Sequence, residues 1–168
     1  REGVEYLVPR QDAAGRWNSD LVDTCFALLF LAKGHKSLLV QKLQWSDDEE
    51  WSPNPDDLAN LTSFIGDRLD QPVTWQTVAL DAPLEDWLAA PLLFIQGYRF
   101  PELSEAQRDK LRRFVEQGGT LLAEATCGRP GFQRRFEEFA RAAFPEVPLR
   151  PLGPDHALYH VLFDVAPL

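Results

Sequence analysis

The sequence predicts an α/β fold, with a doubly wound and mainly parallel sheet preceded by a short helical segment. From residue 37 onward, four short apolar runs alternate with segments of helical periodicity. Strands separated by helices need crossover connections, which make neighbouring strands parallel. Before residue 37 the apolar positions follow helical rather than strand spacing. We therefore predict a helical segment at 1–36 and an α/β domain at 37–168.

The helical segment is dominated by one helix over residues 20–33, with a capping residue at Asn18, Ser19 or Asp20 and a stop at Gly34. Its apolar residues nearly encircle it, and such a helix needs cover on several sides. Cys25 lies among these residues, and a free cysteine buries like a small hydrophobe, so we expect it in a core. The segment should pack through Trp17, Phe26, Leu29 and Phe30.

The predicted strands are 37–44, 73–80, 91–97 and 120–125. The run 91–97 is continuously apolar and ends at Gly97, which is typical of a strand covered on both faces, so its stretch 92–96 should be central. The run 73–80 alternates, which favours a position nearer an edge.

Helices are predicted between and after the strands. Asp56 should cap one that continues to Leu69, and 84–90 should be a short one. Ser104 opens the clearest helix, which ends before the pair Gly118 and Gly119. The last helix covers 131–144 and should bury Phe132, Phe136, Phe139 and Phe144.

Composition limits the classes of function. The net charge of −9 opposes the phosphate backbone, so nucleic acid is not an expected partner. No stretch approaches the ~18 consecutive apolar residues of a membrane helix. Two cysteines, Cys25 and Cys127, cannot build a cysteine-rich metal site. Neither a glycine-rich dinucleotide loop nor a Walker loop is present, so a nucleotide cofactor is not indicated. We expect no cofactor and no metal.

A series of short motifs occurs in a fixed order along residues 38–168. They are Gln41-Lys42-Leu43-Gln44, Trp51, Asp57-Leu58-Ala59-Asn60-Leu61, Thr74-Trp75-Gln76, Pro91-Leu92-Leu93-Phe94-Ile95-Gln96-Gly97, Phe114-Val115-Glu116-Gln117-Gly118-Gly119 and Cys127-Gly128-Arg129-Pro130. This order resembles the bacterial family of domains of unknown function numbered 4159. The resemblance implies a fold similar to the class I glutamine amidotransferases, a flavodoxin-like sandwich, and it carries no established activity.

The first 33 residues contain Gln11, then Gly15-Arg16-Trp17, then Asp23-Thr24 in front of an apolar helix. This order resembles one repeat of the α/α-toroid proteins, the prenyltransferases and the squalene or terpenoid cyclases. Some members of the 4159 family place their domain after such a toroid. The acid-rich catalytic motif of the cyclases is absent here, so the resemblance implies no cyclase activity.

Ligands of doubly wound sheets bind outside the carboxyl ends of the strands. Here the ends of two adjacent strands are followed by Arg99 and Arg129, which could bind a carboxylate or a phosphate. Gln96 and Tyr98 complete the predicted ligand site. The alternative is that the two arginines form salt bridges with acidic neighbours, Glu102 or Glu124.

Cys127 follows the fourth strand, where amidotransferases place Gly-x-Cys-x-Gly. This chain has Ala125 and Arg129 at the glycine positions, and such a strained elbow favours small neighbours. Asp155 and His156 lie downstream, in the order that a cysteine nucleophile with its base would use, but no acidic residue follows two positions later. His160 would allow a metal site with His156, although surface histidines are the simpler interpretation.

The leading hypothesis is a non-catalytic binding or assembly domain of a larger bacterial protein. The first alternative is a cysteine-dependent hydrolase or amidotransferase-like enzyme that uses Cys127, and the second is a carbohydrate or peptide sensor of the cell envelope. Expected partners are other modules of the parent protein or a small anionic ligand, with self-association through the helical segment as a further expectation. No targeting segment opens the sequence; family context favours the cell envelope or periplasm.

Overall fold

A computed structural model describes residues 2–33 and 37–161. The strands are β1 (Ser37–Gln44), β2 (Val73–Ala79), β3 (Leu92–Gly97) and β4 (Thr120–Ala125). The helices are α1 (Glu2–Leu7), α2 (Leu21–Lys33), α3 (Asp57–Leu69), α4 (Leu84–Trp87), α5 (Glu105–Glu116) and α6 (Pro130–Ala143). Short 3-10 turns cover Val8–Arg10, Glu49–Trp51, Thr126–Gly128 and Ala157–Tyr159.

The four strands form one parallel sheet in the order β2-β1-β3-β4. The α/β class is confirmed. β3 is an interior strand, as its continuous apolar run predicted, and all its residues from Leu93 to Gly97 are buried. β2 is at an edge, as its alternation predicted. β4 is the other edge strand, and its residues alternate between exposed and half-buried.

Two compact units divide the chain. One holds the residues up to Val40 together with Asp56–Gln76, and the other holds Gln41–Pro55 and the residues from Thr77 onward. The main hydrophobic core lies in the second unit, since its buried members are Leu43 and residues that follow Gln76. In this core the rings of Trp87 and Phe114 make a T-shaped, edge-to-face contact, with their centroids 6.5 Å apart.

The aromatic part of this core comes from the β3–α5 connection and from α6. Phe100 contacts the rings of Phe132 and Phe139, with centroids 5.5 and 5.6 Å away. Since Phe132 and Phe139 are seven residues apart, they lie on one face of α6. That face packs into the main hydrophobic core. The predicted burial of the α6 phenylalanines is confirmed for these two, while Phe136 and Phe144 are half-buried.

In the other unit, a turn between α1 and α2 is built around Trp17. The indole Nε1 donates to the Leu7 carbonyl at 2.8 Å, and the Trp17 amide donates to the Thr24 hydroxyl at 3.1 Å. Asp12 accepts bonds from the amides of Ala14 and Arg16, which closes the loop before Trp17. Trp17 is therefore buried, as expected.

The expected cover of α2 is wrong for most of its apolar residues. Phe26, Leu29 and Phe30 are all at least half exposed, and Cys25 is exposed rather than in a core. Only Thr24 and Ala27 are buried on this helix among the residues described. The physical reason is that one stripe of α2 packs within its unit, and hydrophobicity around a helix does not state which sides find a neighbour. No described helix is both long and apolar enough to cross a membrane.

Candidate functional site

The carboxyl ends of β3 and β4 lie level with each other. The register pairs Leu92 with Thr120 and ends with Gly97 opposite Ala125. The connections that follow, Tyr98 with Arg99 on one side and the turn Thr126–Gly128 on the other, therefore begin side by side. This brings together three of the exposed residues that the sequence predicted for a ligand site: Tyr98, Arg99 and Arg129.

The loop after β1 packs on this edge. The Trp45 indole Nε1 donates to the Gln96 carbonyl at 3.0 Å. A Cβ atom on Gly97 would lie 2.9 Å from Trp45 Cζ2 and 3.1 Å from the Glu50 carbonyl oxygen. The close approach of three segments explains why the apolar run ends with a glycine, because a side chain there would push the loop away.

The same loop carries a run of four acidic residues, 47–50. Asp48 accepts bonds from the Ser46 hydroxyl at 2.6 Å and from the Glu50 amide at 3.0 Å. These bonds lower the pKa of Asp48, and the bond from Ser46 has the larger effect. The carboxylate thereby caps the Glu49–Trp51 turn.

Arg99 is held by this loop. Its guanidinium donates to the Glu50 carboxylate, and that bond raises the pKa of Arg99. The two side chains are 66% and 40% exposed, so the pair contributes little to stability. It nevertheless compensates the charge of Arg99. The salt-bridge alternative named Glu102 or Glu124, whereas the hydrogen-bonded partner comes from 49 residues upstream.

Arg129 has a different environment. Its guanidinium carbon lies 5.7 Å from the centre of the Tyr98 ring, within the range of a cation–π contact. Both residues are exposed. Among residues 2–33 and 37–161, no carboxylate pairs with Arg129.

Cys127 stands in the turn between β4 and α6. Its backbone is left-handed, with φ 53° and ψ 29°, and Gly128 follows with φ 63°. The thiol is exposed. Within the described part of the chain, no hydrogen bond or ion pair reaches it. Thr126 beside it is buried, and its hydroxyl has no hydrogen-bond partner among those residues.

The predicted partners of Cys127 lie in the C-terminal tail. His156 Nδ1 accepts a bond from the Leu158 amide at 3.2 Å, which leaves the proton of a neutral ring on Nε2. His160 Nε2 lies 3.2 Å from the Pro154 carbonyl. The segment between them is a single 3-10 turn, and Asp155 is exposed. No cluster of metal-ligating side chains is present in the described residues.

Gln96 is fully buried, so it belongs to the interior of the sheet rather than to the exposed rim of the edge. Lys42, which the sequence reading did not single out, is buried as well. Its ammonium group donates to the Asn54 carbonyl at 3.0 Å and lies 5.8 Å from the centre of the Trp51 ring. The sequence signal that could have pointed to Lys42 as a buried charged residue is its position inside the apolar strand β1.

A cavity of about 580 Å³ lies in the same unit, beside the β3–α5 connection. Sequence reasoning missed it, because its walls come from α5, α6 and the loop before α5. Arg135 in its wall is 3.8 Å from Glu138, one turn further along α6. The other lining residues that carry polar groups are Glu102, Ser104 and Arg108.

Comparisons with curated proteins and with solved structures found no match. The comparison with family models found one that covers residues 39–167, which is most of the chain and all of the described sheet beyond the first two residues of β1. The chain therefore belongs to the family described as domain of unknown function DUF4159.

Proposed function

We propose that the chain is a non-catalytic binding module that takes a small anionic ligand, a carboxylate or a phosphate group, at the carboxyl edge of its sheet. The observation that carries this proposal is the contrast between two arginines on adjacent strand ends. Arg99 is compensated by Glu50, whereas Arg129 rests over Tyr98 with no carboxylate partner in the described chain.

The chemistry of a guanidinium over an aromatic ring favours this class of ligand. A guanidinium over a ring keeps its N–H donors in its own plane, where a carboxylate or phosphate accepts two parallel bonds. One such contact contributes about 1.5–3 kcal/mol, so an isolated small anion should bind with a Kd of about 6 mM or weaker. A tighter natural ligand would need further contacts to the edge.

The test is an NMR titration of the 15N-labelled chain with succinate and, separately, with inorganic phosphate. We expect saturable shifts at the amides of Tyr98, Cys127 and Gly128, and at the Arg129 side chain. Arg129→Gln should abolish them. Arg141→Gln is the matched control. Arg141 is exposed and lies in the last turn of α6, the helix that Arg129 directly precedes. Shifts that persist in Arg129→Gln, or no saturable shift with either anion, would contradict the proposal.

One observation favours the runner-up, an enzyme that uses Cys127. A non-glycine residue in the left-handed region costs about 1–2 kcal/mol, and such residues cluster at functional sites. Cys127 adopts this conformation directly after β4, on an exposed turn that leads into a helix. Against an enzyme stands the lack of a base in hydrogen-bond contact with the thiol in the described part of the chain.

Alkylation separates the two functions. In a Cys25→Ser chain, iodoacetamide should label Cys127 no faster than it labels N-acetylcysteine amide at the same pH. The Cys127→Ser chain corrects for other sites of reaction. A rate at least tenfold above that of the free thiol would favour the enzyme, because only an activated thiolate reacts so fast at neutral pH.

A further inference from the structure

The outer edge of β4 is an open sheet edge in the described part of the chain. β4 is the last strand in the order β2-β1-β3-β4. Its Thr120 amide donates to the Pro91 carbonyl at 2.8 Å, so the backbone groups of Thr120 point toward β3. Because these groups alternate between the two sides of a strand, those of Leu121, Ala123 and Ala125 point outward. No described residue accepts a bond from these three amides.

An apolar groove of about 430 Å³ lies beside this edge, between the start of β4, the end of α5, one flank of α6 and the tail that follows α6. Leu121, Phe136, Phe144 and Leu149 are among its walls, and no charged residue lines it. Apolar side chains inside proteins are close-packed and rarely leave gaps larger than a water molecule, which occupies about 30 Å³. Phe136 and Phe144 are only half-buried. The groove therefore has room for further apolar side chains.

β4 carries none of the features that keep a free edge from pairing. Natural edge strands are protected by lysine or proline, by a bulge, or by a covering segment. The β4 sequence Thr-Leu-Leu-Ala-Glu-Ala contains neither lysine nor proline, and its register with β3 continues to Ala125 without a bulge. Its one charged residue, Glu124, is exposed on the face opposite Leu121 and the groove. Protection by a covering segment is the remaining way to close this edge.

We propose that residues 162–166 of the same chain cover the edge as an added strand, with Phe163 and Val165 in the groove. Seven residues of the sequence follow the described part of the chain, and they read Leu-Phe-Asp-Val-Ala-Pro-Leu. In an extended segment Phe163 and Val165 share one face, and Asp164 points to the opposite one. Pro167 has no amide hydrogen, so the ladder ends before it.

The course of the tail brings this segment toward β4. Because α6 begins just after β4, it runs from the carboxyl edge of the sheet toward the amino edge. Residues 148–151 line a cavity with Gln133 and Phe136, so the tail returns along the helix toward the carboxyl edge. A segment that continues from there runs antiparallel to β4, and its five extended residues span about 17 Å of the strand. The inference is independent of the proposed anion site, since no residue of that site lines the groove.

Amide hydrogen exchange of the 15N-labelled full chain tests the proposal, because each β4 amide reports on one side of the strand. The outward amides of Leu121 and Ala123 should exchange about tenfold or more slowly than in a Phe163→Asp chain, where a charge enters the groove. The Leu122 amide points toward β3 and should stay protected in both chains, which shows that the variant is folded. Leu162→Asp is the matched control, because it adds the same charge on the opposite face, and it should keep the outward protection.

A second measurement does not depend on a variant. In the unsubstituted chain, nuclear Overhauser effects should connect the Phe163 ring with the Leu121 methyl groups. Their absence would overturn the proposal, and so would outward amides that exchange equally fast in the full chain and in Phe163→Asp. A loss of protection in Leu162→Asp as large as in Phe163→Asp would contradict the assigned face. Protection that rises when the chain concentration is raised about tenfold would assign the edge to a second copy instead.

Discussion

Gly97 is the residue on which the geometry of the carboxyl edge depends most directly. Gly97→Ala would place a Cβ 2.9 Å from the Trp45 ring and 3.0 Å from the Arg99 carbonyl. Because two of the three neighbours are backbone oxygens, the loops must move, and we expect a loss of about 1–3 kcal/mol in the free energy of unfolding. Urea denaturation measures it.

Gly131→Ala is the control for that substitution. Nothing lies within 4 Å of the added methyl group, and the position is in the first turn of α6. Alanine favours a helix over glycine by up to about 1 kcal/mol, so this variant should be as stable as the parent or slightly more so. Equal effects of the two substitutions would mean that the edge tolerates displacement.

The backbone of Cys127 is strained because its φ is positive, and substitution by glycine can relieve that strain. Cys127→Gly removes the Cβ that disfavours φ 53°, so the free energy of unfolding should rise by up to about 1 kcal/mol after the entropic cost of glycine. Cys127→Ala keeps the Cβ and removes only the thiol, and it should be near neutral. If Cys127→Gly and Cys127→Ala both lower the free energy of unfolding by the same amount, the thiol makes a stabilising contact.

At the scale of elements, Lys110 ties α5 to the connection between β2 and α4. Its ammonium group donates to the carbonyls of Leu80 and Ala82 at 2.6 and 2.8 Å and lies 4.3 Å from the centre of the Trp87 ring. Burial lowers the pKa of Lys110. Lys110→Met should cost about 1.5–3 kcal/mol, because it leaves two carbonyls without their charged donor. Thermal and urea unfolding should show little change for Arg113→Met, at an exposed position of the same helix.

The acidic loop after β1 should respond to pH through Asp48. Its pKa is lowered in the folded chain, so its contribution to stability is complete above the ordinary aspartate pKa of about 3.9 and is lost as the pH falls through the folded value. Ser46→Ala removes the largest cause and should raise the pKa of Asp48, as followed by carboxyl NMR. Ser52→Ala, in the same loop, should leave it unchanged. An unchanged Asp48 pKa in Ser46→Ala would show that the backbone bond alone holds it.

The elements themselves were readable from local signals. β1 and β4 have the predicted bounds, and α5 begins with the predicted cap, where Ser104 and Gln107 exchange bonds between side chain and backbone. These features depend on periodicity and on residues a few positions apart. Asp56 stands at the predicted cap of α3, but its side chain makes no capping bond.

Non-local contacts were not readable. The partner of Arg99 is 49 residues away, and nothing in either segment identifies the other. The arrangement of Arg129 over Tyr98 follows from the register of β3 against β4, which the sequence does not state. For the same reason the exposure of α2 could not be predicted: an apolar surface shows that cover is favourable but does not say what provides it.

For the whole molecule, the location of the hydrophobic core predicts which part of the chain can fold alone. Every buried member of the main core cluster lies at or after Leu43, and none comes from α1 or α2. A chain that begins at Ser37 should therefore keep the parallel sheet and unfold in one cooperative transition, with circular dichroism and urea as the measurement. A gradual, non-cooperative loss of structure would mean that the first 36 residues are required for folding.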